Sequence, residues 1–114
     1  MRGNAPALSN KIAKRALEHR VNERGSIEHT VKSWPKFFEL IRTGKKTHDL
    51  RRADDRDFRI GDTLRLQEFD PKTNMYTGRE IIAKITYITS AEDPCALSDA
   101  ALHPDFCILS INRI

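Results

Sequence analysis

The stretch Arg79–Ser90, REIIAKITYITS, is the longest β-strand candidate in this 114-residue chain. Side chains alternate between the two faces of a strand. One face of this stretch then carries Ile81, Ala83, Ile85 and Tyr87. The opposite face also carries apolar side chains, at Ile82 and Ile88. A strand that is apolar on both faces is typical of a curved strand or of one shared between two layers. The stretch therefore favours a β-barrel over a flat sheet, because closure removes exposed edges.

Shorter elements flank this strand. Alternating or β-prone runs predict strands at IEHTVKS (27–33), KKTHDLR (45–51), TLRLQEF (63–69) and FCILSINRI (106–114). In TLRLQEF, alternation predicts that Leu64 and Leu66 face inward. WPKFFELIRTG (34–44) is typical of a helix, with Pro35 in its first turn and Gly44 at its end. We expect a long hairpin connection at 70–78 and a loop with about one helical turn at 91–105. The pattern predicts an α+β barrel of about five to six mostly antiparallel strands and one or two short helices.

The N-terminal segment differs from the rest of the chain. Residues 1–30 carry six Lys or Arg and three Glu, so they hold +3 of the net charge of +4. A helix is predicted from Ser9 to about Arg24, with a narrow, alanine-rich apolar stripe. We therefore divide the chain into a basic tail and helix at 1–25 and a barrel domain at 26–114. The tail is suited to holding a polyanion or a protein partner.

The composition excludes several classes of protein. The chain is 39% hydrophobic and 32% charged, which is typical of a soluble globular domain. It has no apolar stretch near the ~20 residues that cross a bilayer and no apolar signal core, so we expect a cytoplasmic protein without membrane contact. Cys95, His103 and Cys107 lack the spacing of a structural zinc site. We expect neither a metal nor a cofactor, and a buried free thiol at Cys107.

The polar string GKKTHDLR (44–51) is the main candidate site. Strand alternation places Thr47, Asp49 and Arg51 on one face and Leu50 on the other. We expect Leu50 to face apolar packing, which leaves the Asp49–Arg51 face for polar contacts unless the barrel interior is itself polar. A carboxylate two residues from an arginine can orient the guanidinium towards a phosphate or a base edge. The alternative is an internal ion-pair network that closes the barrel.

Neighbouring residues extend this candidate site. Arg52, Arg56 and Arg59 border a loop that also holds three aspartates, which indicates either a solvated loop or an RNA contact. Tyr76, expected to be exposed in a hairpin turn, is the better candidate for base stacking, whereas Trp34 is more typical of a rim or core anchor. The predicted nucleic-acid-binding residues are Lys45, Lys46, Thr47, Asp49, Arg51, Arg52, Arg59 and Tyr76.

Three motifs occur in a familiar order: GKKTHDLR at 44–51, FRIGD at 58–62 and YTGRE at 76–80. Together they resemble the ASCH group of the PUA-like superfamily, and most closely an ASCH-related domain of unknown function found in bacteria and phages. The resemblance covers residues 29–114. It implies a small β-barrel with a cleft beside the helix, a link to RNA binding or modification, and cleft positions for Lys46, Asp49 and Arg51. Asp49 departs from the glutamate common in the family and from the threonine of its amidohydrolase-type members.

Three functions follow as expectations. The first is an RNA- or nucleotide-binding domain that uses a basic cleft beside the barrel. The second is a hydrolase acting on RNA or a modified nucleoside, with Lys46 stabilising charge and Asp49 as the base. The third is a protein-interaction module that binds its partner through the N-terminal helix.

Overall fold

A computed structural model describes residues 24–54, 56–92 and 96–114. Its elements in chain order are β1 (Glu28–Ser33), α1 (Pro35–Arg42), β2 (His48–Arg52), β3 (Thr63–Asp70), β4 (Met75–Ser90), α2 (Ser98–Ala101) and β5 (Phe106–Arg113). The predicted α+β class is confirmed. The predicted N-terminal helix lies outside the described residues.

The five strands form one sheet in the order β1-β3-β4-β5-β2. β1 pairs with β3 in parallel, and the other three pairings are antiparallel. The prediction of about five mostly antiparallel strands is therefore confirmed. The sheet curls into a half-barrel whose two edge strands are β1 and β2. No backbone ladder joins these two edges among the described residues, so the curled sheet has an open side.

The core fills the inside of the curl. Leu64, Leu66, Ala83, Ile85 and Leu109 are fully buried on β3, β4 and β5. Helix α1 packs against β3 and adds Phe38 and Ile41, which are one turn apart and also buried. The inward orientation predicted for Leu64 and Leu66 is confirmed. Core packing thus fixes the position of α1 relative to β3.

A β-bulge corrects the predicted faces of β4. The register between β4 and β5 shifts between Ile85 and Tyr87. Ile88 and Ser90 are therefore buried, while Tyr87 is 45% exposed instead of sharing a face with Ile85. Simple alternation cannot anticipate an inserted residue. The bulge increases local twist and bend, which helps this long strand to curl.

The predicted faces of β2 are also wrong in one respect. Leu50 is 56% exposed, whereas Asp49 is only 6% exposed. Asp49 pairs across the ladder with Leu109, and Arg51 pairs with Cys107, and both partners are buried. The Asp49–Arg51 face of β2 therefore points into the curl, because an internal arginine compensates the buried carboxylate.

The hairpin between β3 and β4 is shorter than expected. Its turn occupies residues 71–74 only, and Asn74 has φ 58° there. Tyr76 accordingly lies in strand β4 and not in the turn, although it is 52% exposed as predicted. The loop before β5 contains one short helix, as the sequence predicted.

Gly44 terminates α1 with φ 79°, a left-handed conformation that disfavours any residue with a Cβ atom. A Cβ built there would have no atom within 4 Å, so the expected penalty comes from backbone strain alone. We expect Gly44→Ala to lower the free energy of unfolding by about 1 kcal/mol, measured by urea denaturation. Gly44→Asn should be less destabilising, because asparagine tolerates this conformation. Equal stabilities for alanine, asparagine and glycine would contradict this account.

In the described ranges, no helix has both the length and the apolar character needed to span a bilayer.

Candidate functional site

The edge strands β1 and β2 approach each other across the open side of the half-barrel. Arg51 on β2 bridges this gap, since its Nη2 donates a hydrogen bond to the carbonyl oxygen of Lys32 on β1 at 2.6 Å. We call the gap between β1 and β2 the seam. Two adjoining concavities lie along the seam, and both are lined by Lys32 and Arg51.

The partners of Arg51 hold its side chain in place but use only part of its hydrogen-bonding capacity. Its Nε donates to Oδ2 of Asp49 at 2.6 Å, and its side chain remains 22% exposed. The described part of the chain provides no partner for Nη1. A guanidinium carries five N–H donors, and most of those of Arg51 therefore remain for a ligand. The predicted orientation of Arg51 by Asp49 is present in the structure.

The larger concavity, which we call the basic cleft, encloses about 400 Å³. Its lining residues are Thr30, Val31, Lys32, Arg51, Arg52, Arg56, Phe58, Gln67 and Tyr76. Four of these side chains are cationic, and none is acidic. The four cations come from β1, β2 and the β2–β3 loop, and curling of the sheet brings these parts of the chain together.

The four cations of the basic cleft differ in their partners. Arg51 binds Asp49, and Arg52 binds Asp54 through a two-pronged ion pair with distances of 3.1 and 2.7 Å, which lowers the pKa of Asp54. Lys32 Nζ lies 4.2 Å from the Phe69 ring centroid and 5.9 Å from that of Tyr76. Neither Lys32 nor Arg56 has a carboxylate partner among the described residues. The cleft thus keeps a positive excess.

The smaller concavity, which we call the aromatic pocket, encloses about 250 Å³. Its lining residues are Lys32, Ser33, Trp34, Phe37, Asp49, Leu50 and Arg51. Trp34 and Phe37 form a stacked pair with ring centroids 6.4 Å apart, and both are exposed. Ser33 and Asp49 are buried polar residues of the same pocket. Its wall is therefore apolar and its floor polar.

Lys46 is the lysine that lies next to Asp49. The sequence alone could not decide between Lys45 and Lys46. The ammonium of Lys46 is 3.7 Å from Oδ1 of Asp49 and donates to the carbonyl oxygen of His48 at 2.9 Å. Its side chain is only 18% exposed. Lys45 and Thr47 are exposed and line neither concavity. The structure thus groups Lys46 with Asp49 and Arg51, and leaves Lys45 and Thr47 outside this group.

Two further predicted residues have different positions. Tyr76 lines the basic cleft, where its ring meets Phe69 edge-on at 5.1 Å between centroids. Arg59 does not line either concavity. Its guanidinium contacts Asp57 at 2.9 Å, and its side chain is 14% exposed. Of the predicted set, Arg51, Arg52 and Tyr76 therefore meet in one cleft.

Sequence reasoning missed Lys32, Ser33 and Phe37 as site residues. Lys32 and Ser33 are neighbours at the end of β1, and Phe37 lies at the exposed side of α1. They reach the site because β1 forms an edge of the seam and α1 follows it directly. The available signal was the pair of aromatic residues at the start of α1, Trp34 and Phe37, which could have indicated a binding surface. Phe37 alone is equally typical of a core position.

A separate buried carboxylate, Asp62, organises the other end of the sheet. It is fully buried and accepts hydrogen bonds from Arg24, from His29 and from the backbone amides of Ile27 and Arg59. Burial by itself would raise the pKa of Asp62, but these donors outweigh it and hold the pKa below its ordinary value. The sequence analysis included Asp62 only as the last residue of the FRIGD motif, so its buried structural role was missed.

Comparison with known proteins finds a similar protein and a matching family. A protein of Escherichia phage P2, named "Uncharacterized 12.9 kDa protein in GpA 3'region", is 40% identical over 65 residues. The aligned part covers 57% of this chain and 57% of that relative, so less than two thirds of its length is matched. Residues 28–111 match the family described as Domain of unknown function (DUF3850), from the first residue of β1 into β5. The chain therefore belongs to the DUF3850 family.

Proposed function

We propose that this chain binds single-stranded RNA or its nucleotides through the basic cleft. The observation that carries the proposal is the concentration of Lys32, Arg51, Arg52 and Arg56 around one concavity with no acidic side chain in its lining. Phosphate groups are the anions that such a cleft suits, and Arg51 presents free N–H groups from a fixed position. On this proposal, the main contacts of the basic cleft are with the phosphates of the RNA backbone.

Aromatic side chains favour a nucleic acid over a simple anion. Tyr76 is half exposed on the basic cleft, and a base has a π-face that stacks on such a ring regardless of its identity. Cationic grooves with stacking residues are typical of proteins that bind single strands. A folded duplex would leave its bases inaccessible to Tyr76. We therefore propose a single-stranded target.

We also propose that the half-barrel is an ASCH-type member of the PUA-like superfamily. The order of the three motifs supports this assignment, and so does the position of α1 directly after β1, beside the cleft. On this proposal, the seam bridged by Arg51 corresponds to the cleft that the resemblance implies beside the helix.

Binding should be measured by fluorescence anisotropy with a labelled single-stranded RNA oligomer. We expect the affinity of Lys32→Ala/Arg56→Ala to fall about tenfold near physiological salt, because two phosphate contacts are lost. The slope of log K against log salt concentration should become shallower by about 1.4, or roughly 0.7 for each contact. Neither residue has an ion-pair partner in the described part of the chain, so the fold should be unaffected.

Lys72→Ala/Lys84→Ala is the matched control for this measurement. Both lysines are exposed, line neither concavity and make no ion pair among the described residues, and the change in net charge is the same. The control should retain nearly all affinity. Equal losses in the two double variants would reject the basic cleft as the binding surface, and absence of any RNA binding would reject the function.

The same labelled RNA also tests the hydrolase alternative. Binding alone leaves the oligomer intact after long incubation, whereas a ribonuclease shortens it. Shortened products that disappear with Asp49→Asn would favour hydrolysis over the binding function proposed above.

A further inference from the structure

We propose that the aromatic pocket is a nucleobase subsite that selects bases carrying an exocyclic amino group. The inference rests on the RNA binding proposed above and deepens it, because it assigns selection between bases to the pocket that adjoins the basic cleft. The base would enter between α1 and β2, and the phosphates would continue along the seam.

The wall of the pocket suits the face of a flat aromatic ligand. Trp34 is 53% exposed and Phe37 is 41% exposed, although large aromatic side chains are usually well buried. Their rings are stacked with an interplanar angle of 27°. Leu50, exposed on β2, provides an apolar surface in the same pocket. Stacking on such rings stabilises a bound base.

The floor of the pocket offers two polar groups that the protein leaves available. The side chain of Ser33 is buried, and its Oγ makes no hydrogen bond within the described residues. A buried hydroxyl without a hydrogen-bond partner is unfavourable, and a ligand group that pairs with it would remove this cost. Asp49 accepts its hydrogen bond from Arg51 on Oδ2. Within the described part of the chain, the only group given near Oδ1 is the Lys46 ammonium, at 3.7 Å. Oδ1 is thus an acceptor available to a ligand.

This pair of groups determines which base edge fits. A carboxylate oxygen accepts hydrogen bonds and cannot donate, so it requires an N–H group on the ligand. Cytosine, adenine and guanine each carry an amino group, and the Ser33 hydroxyl can donate to a neighbouring ring nitrogen or carbonyl. Uracil presents one ring N–H flanked by two carbonyl oxygens, which the carboxylate repels. The pocket should therefore disfavour uracil.

The two concavities adjoin each other at Lys32 and Arg51, which line both of them. A nucleotide with its base on Trp34 and Phe37 would place its phosphate towards these two cations. Arg51 would then serve both subsites, with its Nε held by Asp49 and its remaining N–H groups facing the anion. A shared role at the junction of the two concavities would explain why the buried Asp49 and the partly buried Arg51 lie on the edge strand β2.

The single tryptophan of the chain, Trp34, provides a direct readout of this pocket. We would titrate the full chain with CMP, AMP, GMP, UMP and ribose 5-phosphate and record the quenching of tryptophan fluorescence. The three amino-bearing nucleotides should quench saturably, with UMP at least tenfold weaker and ribose 5-phosphate without effect. Equal quenching by CMP and UMP, or by CMP and ribose 5-phosphate, would overturn the proposal.

Two variants with matched controls complete the test. Ser33→Ala should weaken CMP binding about three- to tenfold while the fold is retained, since its hydroxyl makes no bond in the described protein. Phe37→Ala should weaken all three amino-bearing nucleotides alike. Ser26→Ala, an exposed serine outside the pocket, and Tyr87→Ala, an aromatic residue of similar exposure, should bind as the wild type does. Unchanged CMP binding in both pocket variants would reject the subsite.

The failure of this inference can be told apart from failure of the proposed function. If the labelled RNA binds through Lys32 and Arg56 but no nucleotide quenches Trp34, the subsite is rejected and the basic cleft stands. If CMP quenches Trp34 but RNA binding is absent, the pocket stands as a nucleotide site and RNA binding is rejected.

Discussion

Replacing Asp62 with alanine is expected to lower the free energy of unfolding by about 3–5 kcal/mol, which is a large part of the stability of a small domain. Asp62 is fully buried, and its two oxygens accept hydrogen bonds from the Arg24 guanidinium at 3.0 and 2.8 Å and from His29 at 2.8 Å. Alanine would leave these donors and the amides of Ile27 and Arg59 without their acceptor. Urea denaturation followed by circular dichroism measures the loss.

The position of Asp62 explains why the effect should be global. Its backbone carbonyl accepts a hydrogen bond from the amide of Ile85 on β4, and its side chain ties down the start of β1 through His29. Asp57→Ala is a suitable control, because Asp57 is an exposed acid of the same loop and contacts Arg59 and Arg24 near the surface. The control should lose no more than about 1 kcal/mol. Similar losses for both variants would contradict a special role for the buried carboxylate.

Asp62 should also shape the dependence of stability on pH. Because its pKa is lowered in the folded state, its ionised form contributes stability that is fully present above the unfolded pKa of about 4. That contribution is lost as pH falls from there towards the folded pKa. Glu68, whose pKa is lowered by Arg79, acts in the same direction. We expect the stability of Asp62→Asn to fall less steeply than that of the wild type below about pH 4, measured by thermal melts across the acid range. Parallel curves would contradict this assignment.

Sequence periodicity was sufficient to predict the strands and the helix of this fold, but it did not predict how the strands curve. Alternation correctly oriented Leu64 and Leu66, and the Pro35 and Gly44 signals correctly bounded a helix. The bulge after Ile85 was not predictable, because one extra residue leaves no mark in composition. It reverses the faces of the rest of β4 and so moves Tyr87 to the surface.

The orientation of β2 shows a different limit. Hydrophobicity favoured Leu50 as the buried residue, yet Asp49 is buried instead. An acid can take an inward position when an arginine on the same face binds it, as Arg51 does at 2.6 Å. The sequence contained this pair at the right spacing, and the possibility of a polar interior followed from it. Whether Leu50 or Asp49 is the buried residue is decided by the position of β2 at the edge of a curled sheet, which the sequence does not show.

The part of the candidate site that consists of neighbours in sequence was predictable. The part that forms where β1 approaches β2 across the seam was not. Asp49, Arg51 and Arg52 lie within four residues of one another, and their grouping was expected. Lys32 and Ser33 join them from β1, which is distant from β2 in the chain. The parallel pairing of β1 with β3 leaves β1 at an edge of the sheet. Tertiary topology therefore determined the polar floor of the aromatic pocket.

Arg51→Ala is expected to weaken binding of single-stranded RNA about thirtyfold, or about 2 kcal/mol, the largest loss for any single substitution in the two concavities. Arg51 is the residue whose guanidinium lines both the basic cleft and the aromatic pocket and also bridges the seam to Lys32. Its removal takes away phosphate contacts and leaves the buried Asp49 facing the pocket with Lys46 as its only nearby cation among the described residues. The uncompensated carboxylate would then repel an incoming phosphate.

Arg51→Lys should not restore this affinity, although it keeps the charge. A lysine ammonium is a single point donor and cannot reach Asp49, the Lys32 carbonyl and a ligand at once, as the planar fork of an arginine does. Arg65→Ala is the matched control, because Arg65 is also an ion-paired arginine, bound to Glu28 and Glu80, but lines neither concavity. Anisotropy titrations of all three variants should rank Arg65→Ala near the wild type and both Arg51 variants far below it. Full affinity in Arg51→Lys would mean that only charge matters at this position, and the fixed fork between the two edge strands would then have no part in recognition.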